Sequence, residues 1–164
     1  GIEYAPMGVV HLAWPRERVA HPLNGFGFLA PPHEGLRILG AMFVSSFFPW
    51  RAPPGQALFT VMVGGAVRPE LVRGASDASL AAIAREELAA IVGARGEPTL
   101  CEVVRWERAI PQYNVGHEAR VQAAEGRAAA LGGIFLAGNA WRGIGFNDCV
   151  ANAPVIAERV LAGA

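Results

Sequence analysis

The chain has 164 residues, of which 52% are hydrophobic and only 17% are charged. This length suffices for a domain with a hydrophobic core, and the composition excludes an intrinsically disordered chain. Lys plus Arg equals Asp plus Glu, with 14 of each, so the net charge gives no argument for binding nucleic acid or an anionic membrane.

The first half of the chain is predicted to form an antiparallel sheet. Apolar runs rich in strand-forming residues lie at residues 9–14, 25–30, 36–44 and 57–64, with proline-rich breaks between several of them. Four short strands at short intervals are typical of antiparallel pairing.

The pattern changes after residue 76. Asp77 is expected to cap a helix with Leu80, Ile83, Leu88 and Ile91 on one face, and Gly93 is expected to end it. Residues 99–106 are predicted to form a further strand.

The last third of the chain is predicted to be helix–strand–helix. Residues 118–131 form an alanine-rich helix, residues 134–137 a buried strand, and residues 148–161 a final helix. Pro154 lies inside the final helix and should kink it or delay its start.

The most informative segment is residues 133–150, an apolar run followed by a glycine-rich turn and the start of a helix. Such an arrangement brings backbone N–H groups and a positive helix end to one point, where an anionic group can bind. Its glycines allow a flat ligand to approach the main chain. From this turn alone, a tight packing junction is the more common interpretation.

The whole segment resembles the C-terminal flavin-contacting motif of the amine-oxidase-like flavoproteins. Within that superfamily it is similar to the oxygen-dependent protoporphyrinogen oxidases. Three more segments support the resemblance: residues 105–117, which include Trp106, Ile-Pro-Gln-Tyr and His117; Gly-Phe-Gly-x-Leu-x-Pro at residues 25–31; and Ser-Ser-x-Phe-Pro-x-Arg-Ala-Pro at residues 45–53. They occur in family order across nearly the whole chain.

The resemblance implies the C-terminal part of a longer FAD-containing enzyme, and the first residues, Gly-Ile-Glu-Tyr without Met, suggest an excised piece. The Gly-x-Gly-x-x-Gly loop that holds the FAD pyrophosphate in such folds does not occur in the chain. The expected fold class is α+β. Residues 1–75 would be the antiparallel sheet portion of a substrate domain, and residues 76–164 a helical segment plus the helix–strand–helix end of a Rossmann-like FAD-binding domain.

The resemblance also implies the site residues. Backbone N–H groups of Ile144, Gly145 and Phe146 would face the flavin, Gly138 and Asn139 would lie near its ribityl and phosphate part, and Trp106 would pack near it. Leu29 and Phe48 would line the porphyrinogen pocket. The residues alone make Trp106 equally a core aromatic, and Leu29 and Phe48 ordinary core side chains. No side chain is assigned as catalytic, since the flavin would carry the redox chemistry.

Other polar residues carry weaker hypotheses. His117 could act as a general base, but it also fits a role in capping or packing the next helix. Arg142 could face FAD or the substrate, or could be exposed, and Asp148 fits a favourable charge at a helix start. Cys101 and Cys149 are far apart in sequence, so they predict neither a metal site nor a disulfide framework and favour a reducing compartment.

The resemblance implies a function in haem biosynthesis: six-electron oxidation of protoporphyrinogen IX to protoporphyrin IX, with O2 as acceptor. The alternatives are a coproporphyrinogen III oxidase of the same family or a non-catalytic interaction module on a flavoprotein-derived scaffold. An amine oxidase or a carotenoid-type desaturase fits less well. We expect a cytoplasmic location, with peripheral membrane association as an option. We expect no nucleic-acid partner. The apolar faces of the fragment favour homo-oligomers.

Overall fold

The computed structural model describes residues 1–163. The chain divides into two compact units by its internal contacts. We call Ala5–Ala109 the sheet unit, and we call Gly1–Tyr4 together with the chain from Ile110 onward the helical unit. This division differs from the predicted limits of 1–75 and 76–164, which stay a prediction about the domains of a longer protein. Ala164, the last residue of that second range, lies outside the described residues.

Five strands within residues 1–163 form one sheet. They are β1 (Tyr4–Pro15), β2 (Gly27–Leu29), β3 (Ile38–Phe43), β4 (Gln56–Gly64) and β5 (Leu100–Pro111), in the spatial order β2-β3-β4-β1-β5. The pairs β2–β3, β3–β4 and β4–β1 are antiparallel. The predicted antiparallel sheet is therefore confirmed, with β5 at the edge beside β1.

One face of this sheet carries the hydrophobic core. Val10 pairs with Val61 and Leu12 pairs with Phe59, and all four side chains are fully buried. Side chains alternate between the two faces of a strand, so these residues point to the same side of the sheet. Helix α2 adds buried residues at spacings of four to the same cluster: Leu80, Ala84, Leu88 and Val92.

Two polar features fix helix α2, the 16-residue helix Asp77–Val92 that follows the four-residue helix α1 (Val44–Phe47). Ser76 is its N-cap and accepts a hydrogen bond from the Ser79 N–H, so the prediction that Asp77 caps the helix is wrong by one residue. Serine reaches this N–H because the capping position lies outside the first helical turn. Near the middle of α2, the buried Glu87 carboxylate accepts hydrogen bonds from both the backbone and the guanidinium of Arg37.

The helical unit contains α3 (His117–Leu131) and α4 (Phe146–Gly163). Only three residues of α3 are buried, and none of the described residues of α4 is. Pro154 lies inside α4, and the helix begins two residues before Asp148, so the proline does not delay its start. Within residues 1–163, no helix combines the length and apolar character that crossing a bilayer demands.

The predicted buried strand at residues 134–137 is wrong. These residues have no regular secondary structure, and Ile134 is 47% exposed. An isolated segment becomes a strand only when its N–H and C=O groups pair with a neighbouring strand. Among the described residues, no strand pairs with this segment. The predicted α+β class, with mixed helix and antiparallel sheet, is nevertheless confirmed.

Phe59 provides a test of the core. Its ring lies edge-on against both Trp14 and Phe43, and its side chain is fully buried. We expect Phe59→Ala to lower the free energy of unfolding by about 3–5 kcal/mol, because it removes buried apolar surface and leaves a cavity. Urea denaturation measures this change.

Phe146→Ala is the matched control, because the Phe146 side chain is 83% exposed. We expect it to change the free energy of unfolding by no more than about 0.5 kcal/mol, as is usual for surface positions. Equal losses in the two variants would contradict the proposed position of the core.

Candidate functional site

The predicted substrate residues lie in the sheet unit. Leu29 ends β2 with 82% of its side chain exposed, and Phe48 follows α1 and is half-buried. Neither residue belongs to the fully buried core, so the interpretation of the two as ordinary core side chains is wrong. An exposed leucine of this kind is available to contact a ligand or another part of a larger protein.

Phe48 belongs to a continuous aromatic series. The ring of Phe26 stacks on Phe47 at 4.1 Å, Phe47 contacts Phe48 at 4.6 Å, and Phe48 contacts Trp50 at 5.2 Å. The Arg51 guanidinium lies 4.7 Å from the centre of the Phe48 ring. This series gives the sheet unit an apolar surface with a cation over the Phe48 ring, which suits a flat apolar ligand that carries acidic groups.

Trp106 lies on β5 and is 57% exposed. The alternative that Trp106 is a core aromatic of this chain is therefore wrong. Most of β5 is exposed to solvent. A half-exposed indole on such a strand presents a flat apolar surface that a ring system can cover.

The predicted cofactor residues of the helical unit lie on what we call the glycine-rich turn, residues 138–145. Gly138 and Gly143 have positive φ angles of 99° and 72°, which side chains other than glycine rarely adopt. The Gly138 carbonyl accepts hydrogen bonds from the N–H groups of Trp141 and Arg142, at 3.1 and 3.5 Å. A Cβ atom built on Gly138 meets no other atom within 4 Å, so the main chain is bare on an open side.

The turn leads into the N-terminus of α4, where Asp148 occupies one of the predicted flavin contacts. The Gly145 N–H donates a hydrogen bond of 3.0 Å to the Asp148 carboxylate. A Cβ on Gly143 would lie 2.3 Å from the Cβ of Asp148, so only glycine fits there. Asp148 therefore both packs against the turn and places a negative charge at the helix start, as predicted.

Tyr113, just before α3, and His117, its first residue, bond the main chain of the glycine-rich turn. The Tyr113 hydroxyl donates a 2.6 Å hydrogen bond to the carbonyl of Asn139, and His117 Nε2 lies 3.2 Å from the carbonyl of Trp141. The two rings stack with centres 3.9 Å apart. Tyr113 was not predicted as a site residue from the sequence, although its place between Pro111 and His117 in the resembling motif was the available signal.

Arg142 is held by α3. Its guanidinium pairs with Glu125 at 3.1 Å and with Glu118 at 3.3 Å, and these carboxylates raise the pKa of the Arg142 side chain. The Arg142 carbonyl in turn accepts a hydrogen bond from the Asn152 side chain on α4. In this structure Arg142 connects the turn to both helices of the unit.

A cavity of about 200 Å³ lies beside the turn, between residues of α3 and α4. Apolar side chains and the ion-paired arginines surround it, and the lining includes Leu136, Gly138, Trp141, Arg142, Asn152 and Ile156. Its position places a partly open cavity next to the bare main chain of Gly138.

These features fit one side of a flavin site. The Gly138 main chain is open to a flat group, and the first N–H groups of a helix have no helical partner carbonyl. Exposed apolar side chains accompany them, at Ile144 (41%) and Phe146 (83%). Donors of this kind at a helix start suit the electron-rich edge of a reduced flavin.

Comparison with known proteins supplies the family. The sequence profile of the flavin-containing amine oxidoreductases matches residues 1–161. The chain belongs to this family. Membership in this family confirms the flavin cofactor, which the resemblance predicts to be FAD.

Named relatives of this flavin-containing amine oxidoreductase include two kinds of porphyrinogen oxidase. The chain is 36% identical to a mitochondrial protoporphyrinogen oxidase of Nicotiana tabacum over 98% of the chain. It is 31% identical to a coproporphyrinogen III oxidase of Bacillus subtilis over 86% of the chain. It spans about a third of the length of each of these relatives, 32% and 30%.

A solved structure supports the fold of this family member. A crystal structure described as a candidate protoporphyrinogen oxidase from Exiguobacterium sp. 255-15 superposes with a TM-score of 0.82 and 27% identity. The match covers 98% of the chain and 36% of that protein. The predicted relation to the protoporphyrinogen oxidases is thereby confirmed, and so is the relation of this chain to a part of a longer protein.

The ionisation of Tyr113 tests the contacts at the turn. Burial raises the pKa of the Tyr113 phenol above its ordinary value of about 10, and Cys149 and Asp148 add to this effect. A pKa that is raised on folding means that the folded state is more stable with the phenol neutral than with it ionised. This contribution is complete below about pH 10 and is lost as the pH rises through the folded-state pKa.

The measurement is a phenolate absorbance titration of the wild type and of Tyr113→Phe. The chain has only two tyrosines, so the difference between the two curves reports Tyr113. We expect a midpoint above about 10. A midpoint at or below the ordinary tyrosine value would contradict the partial burial that raises the pKa of this phenol.

Proposed function

We propose that the chain contributes the flavin-facing and substrate-facing C-terminal part of an oxygen-dependent protoporphyrinogen oxidase. The observation that carries this proposal is the 36% identity to the tobacco mitochondrial enzyme across 98% of the chain. The exposure of Leu29, Trp106 and Phe146 supports it, since these side chains are uncovered in this chain. The proposed reaction is the six-electron oxidation of protoporphyrinogen IX to protoporphyrin IX with O2 as acceptor.

The sheet unit would bind the porphyrinogen. Leu29 and Phe48 would contact the apolar face of the macrocycle, and the aromatic series from Phe26 to Trp50 would extend this surface. Arg51 lies over the Phe48 ring, where its positive charge suits the carboxylates of the substrate. These residues would orient the macrocycle and exclude water from it, which are the usual contributions of a protein to cofactor chemistry.

The helical unit would bind the isoalloxazine side of FAD. Bound flavin supplies the two-electron redox chemistry that no side chain of this chain provides. The N–H groups of Ile144, Gly145 and Phe146 would stabilise negative charge at the flavin edge, helped by the positive N-terminal end of α4. The carboxylate of Asp148 accepts from the Gly145 N–H in this structure, so that contact would have to exchange when the flavin binds.

Coproporphyrinogen III is the second candidate substrate. The observation in its favour is that relatives named coproporphyrinogen III oxidase, from Bacillus subtilis and from Propionibacterium freudenreichii, are 31% and 30% identical to the chain. The two substrates differ in the number of carboxylates. Discrimination would therefore depend on cationic side chains, of which Arg51 is the one next to the aromatic series.

A non-catalytic interaction module is the alternative from a different functional class. It applies to the isolated chain, in which the Gly-x-Gly-x-x-Gly sequence that binds the pyrophosphate in such folds does not occur. This alternative predicts a longer protein that carries no flavin. The proposed oxidase predicts a flavin-loaded one.

Location and association are further proposals. We infer a cytoplasmic location, with peripheral association at a membrane, because the product of the proposed reaction is hydrophobic. The relatives from plants are named as mitochondrial or chloroplastic, and others are bacterial. Self-association of the 164-residue chain is proposed on the exposed apolar side chains of α4, including Val150, Val155 and Leu161.

The experiment uses the longer flavoprotein that contains this chain, purified with its flavin. We expect visible flavin absorbance and the O2-dependent appearance of porphyrin fluorescence from protoporphyrinogen IX, faster than from coproporphyrinogen III. Faster oxidation of coproporphyrinogen III would select the second candidate. A colourless protein that oxidises neither substrate would overturn the proposed oxidase and support the interaction module.

A variant tests the substrate surface. We expect Leu29→Ala to raise the KM for the porphyrinogen by roughly 10-fold or more, the amount that corresponds to about 1.5 kcal/mol of lost apolar contact. Val67→Ala is the control, because Val67 is also exposed (61%) but lies outside the predicted site. Equal effects of the two substitutions on KM would contradict the assignment of Leu29.

A further inference from the structure

The glycine-rich turn needs an external support. Gly138 and Gly143 give it two positive φ angles, and it contains no regular secondary structure. Each residue fixed in one backbone conformation loses conformational entropy, and glycine loses the most. The N–H groups of Trp141 and Arg142 donate hydrogen bonds to the Gly138 carbonyl and close the turn. Both bonds lie within the turn, so they do not set its orientation relative to α3.

Ion pairs of Arg142 with Glu118 and Glu125 hold one side chain of the turn. Two side chains of the segment before α3 and its first turn bond the main chain of the turn at residues 139 and 141. Tyr113 donates to the Asn139 carbonyl, and His117 Nε2 bonds the Trp141 carbonyl. The two carbonyls are two residues apart, and the two rings stack within 11° of parallel. The stacked pair therefore binds the turn at two points, the carbonyls of Asn139 and Trp141.

The hydrogen bond from His117 determines which of its ring nitrogens carries the proton. A carbonyl oxygen only accepts hydrogen bonds, so His117 must carry its proton on Nε2 in this arrangement. The other ring nitrogen, Nδ1, is buried and has no hydrogen-bond partner among the described residues. His117 is only 8% exposed, so its ring is largely shielded from solvent.

Fixing a carbonyl also fixes the amide that follows it. The peptide unit is planar and trans, so the C=O of one residue and the N–H of the next point in opposite directions. The bond from Tyr113 to Asn139 therefore aims the Ala140 N–H away from Tyr113. The bond from His117 to Trp141 likewise fixes the Arg142 N–H, which donates back to Gly138.

We propose that Tyr113 and His117 form a two-point clasp that fixes the backbone of residues 138–145 in the orientation required for binding the flavin. This proposal rests on the proposed function and adds to it a role for the Pro111–His117 motif. Both residues are positioning residues, because they act on the flavin site through the main chain of the turn. The general-base role considered for His117 is not needed.

The test is FAD binding by the apoprotein of the longer flavoprotein, measured by titration, together with the visible absorption spectrum of the bound flavin. We expect Tyr113→Phe to weaken FAD binding roughly 2- to 10-fold, the range of one net hydrogen bond, while the stacked ring is retained. His117→Ala should weaken binding at least as much. Both variants should shift the visible flavin band, which a purely structural destabilisation leaves in place.

Two further variants complete the test. His117→Gln keeps a nitrogen donor near the position of Nε2, and we expect it to restore most of the affinity and the spectrum. His33→Ala is the matched control, because His33 is an exposed histidine of the sheet unit, paired only loosely with Glu34 at 3.6 Å. We expect it to change neither readout.

The outcomes separate this proposal from the proposed function. A wild-type protein that binds no FAD overturns the proposed function, and the clasp with it. A wild type that binds FAD, with variants of unchanged affinity and spectrum, overturns the clasp alone. Lower unfolding stability of Tyr113→Phe and His117→Ala with an unshifted flavin band also overturns it, because the two residues would then serve the fold only.

Discussion

The burial of one sheet face beneath α2 holds the sheet unit together. Val10, Leu12 and Phe59 are fully buried there, and each such side chain contributes about 1.5–3 kcal/mol when removed from water. The buried Glu87 adds a specific contact, because its carboxylate is paired with Arg37 beside β3. With this face packed, β2 and the segment after α1 can leave Leu29 and much of their aromatic surface exposed to solvent.

The helical unit follows a different constraint. None of the described residues of α4 is buried, so polar contacts rather than a hydrophobic core determine the local geometry of its glycine-rich turn. Tyr113 and His117 bond two of the turn's carbonyls, and Asp148 bonds one of its N–H groups. The exposed apolar side chains of the helix, such as Phe146 and Leu161, agree with a chain that spans about a third of its relatives. A longer protein would supply the surface that covers them.

The sequence predicted most elements because their signals are local. The alternation of β1 and β4 and the four-residue spacing in α2 lie within each segment and can be recognised without knowledge of its neighbours. The prediction of a strand at residues 134–137 was wrong because a strand needs a neighbouring strand to pair with. The described residues provide none there. The resemblance identified the turn, but hydrogen bonds across long sequence separations, such as Tyr113 to Asn139, leave no periodic trace in the sequence.

We propose that the backbone N–H groups of residues 144–146 contact the flavin. Amide hydrogen exchange of the longer flavoprotein, with FAD bound and with FAD removed, tests it most directly. Binding of FAD should slow exchange at Ile144, Gly145 and Phe146, and should leave the buried strands β1 and β4 unchanged. Equal exchange rates at these three amides in the loaded and flavin-free protein would contradict the account.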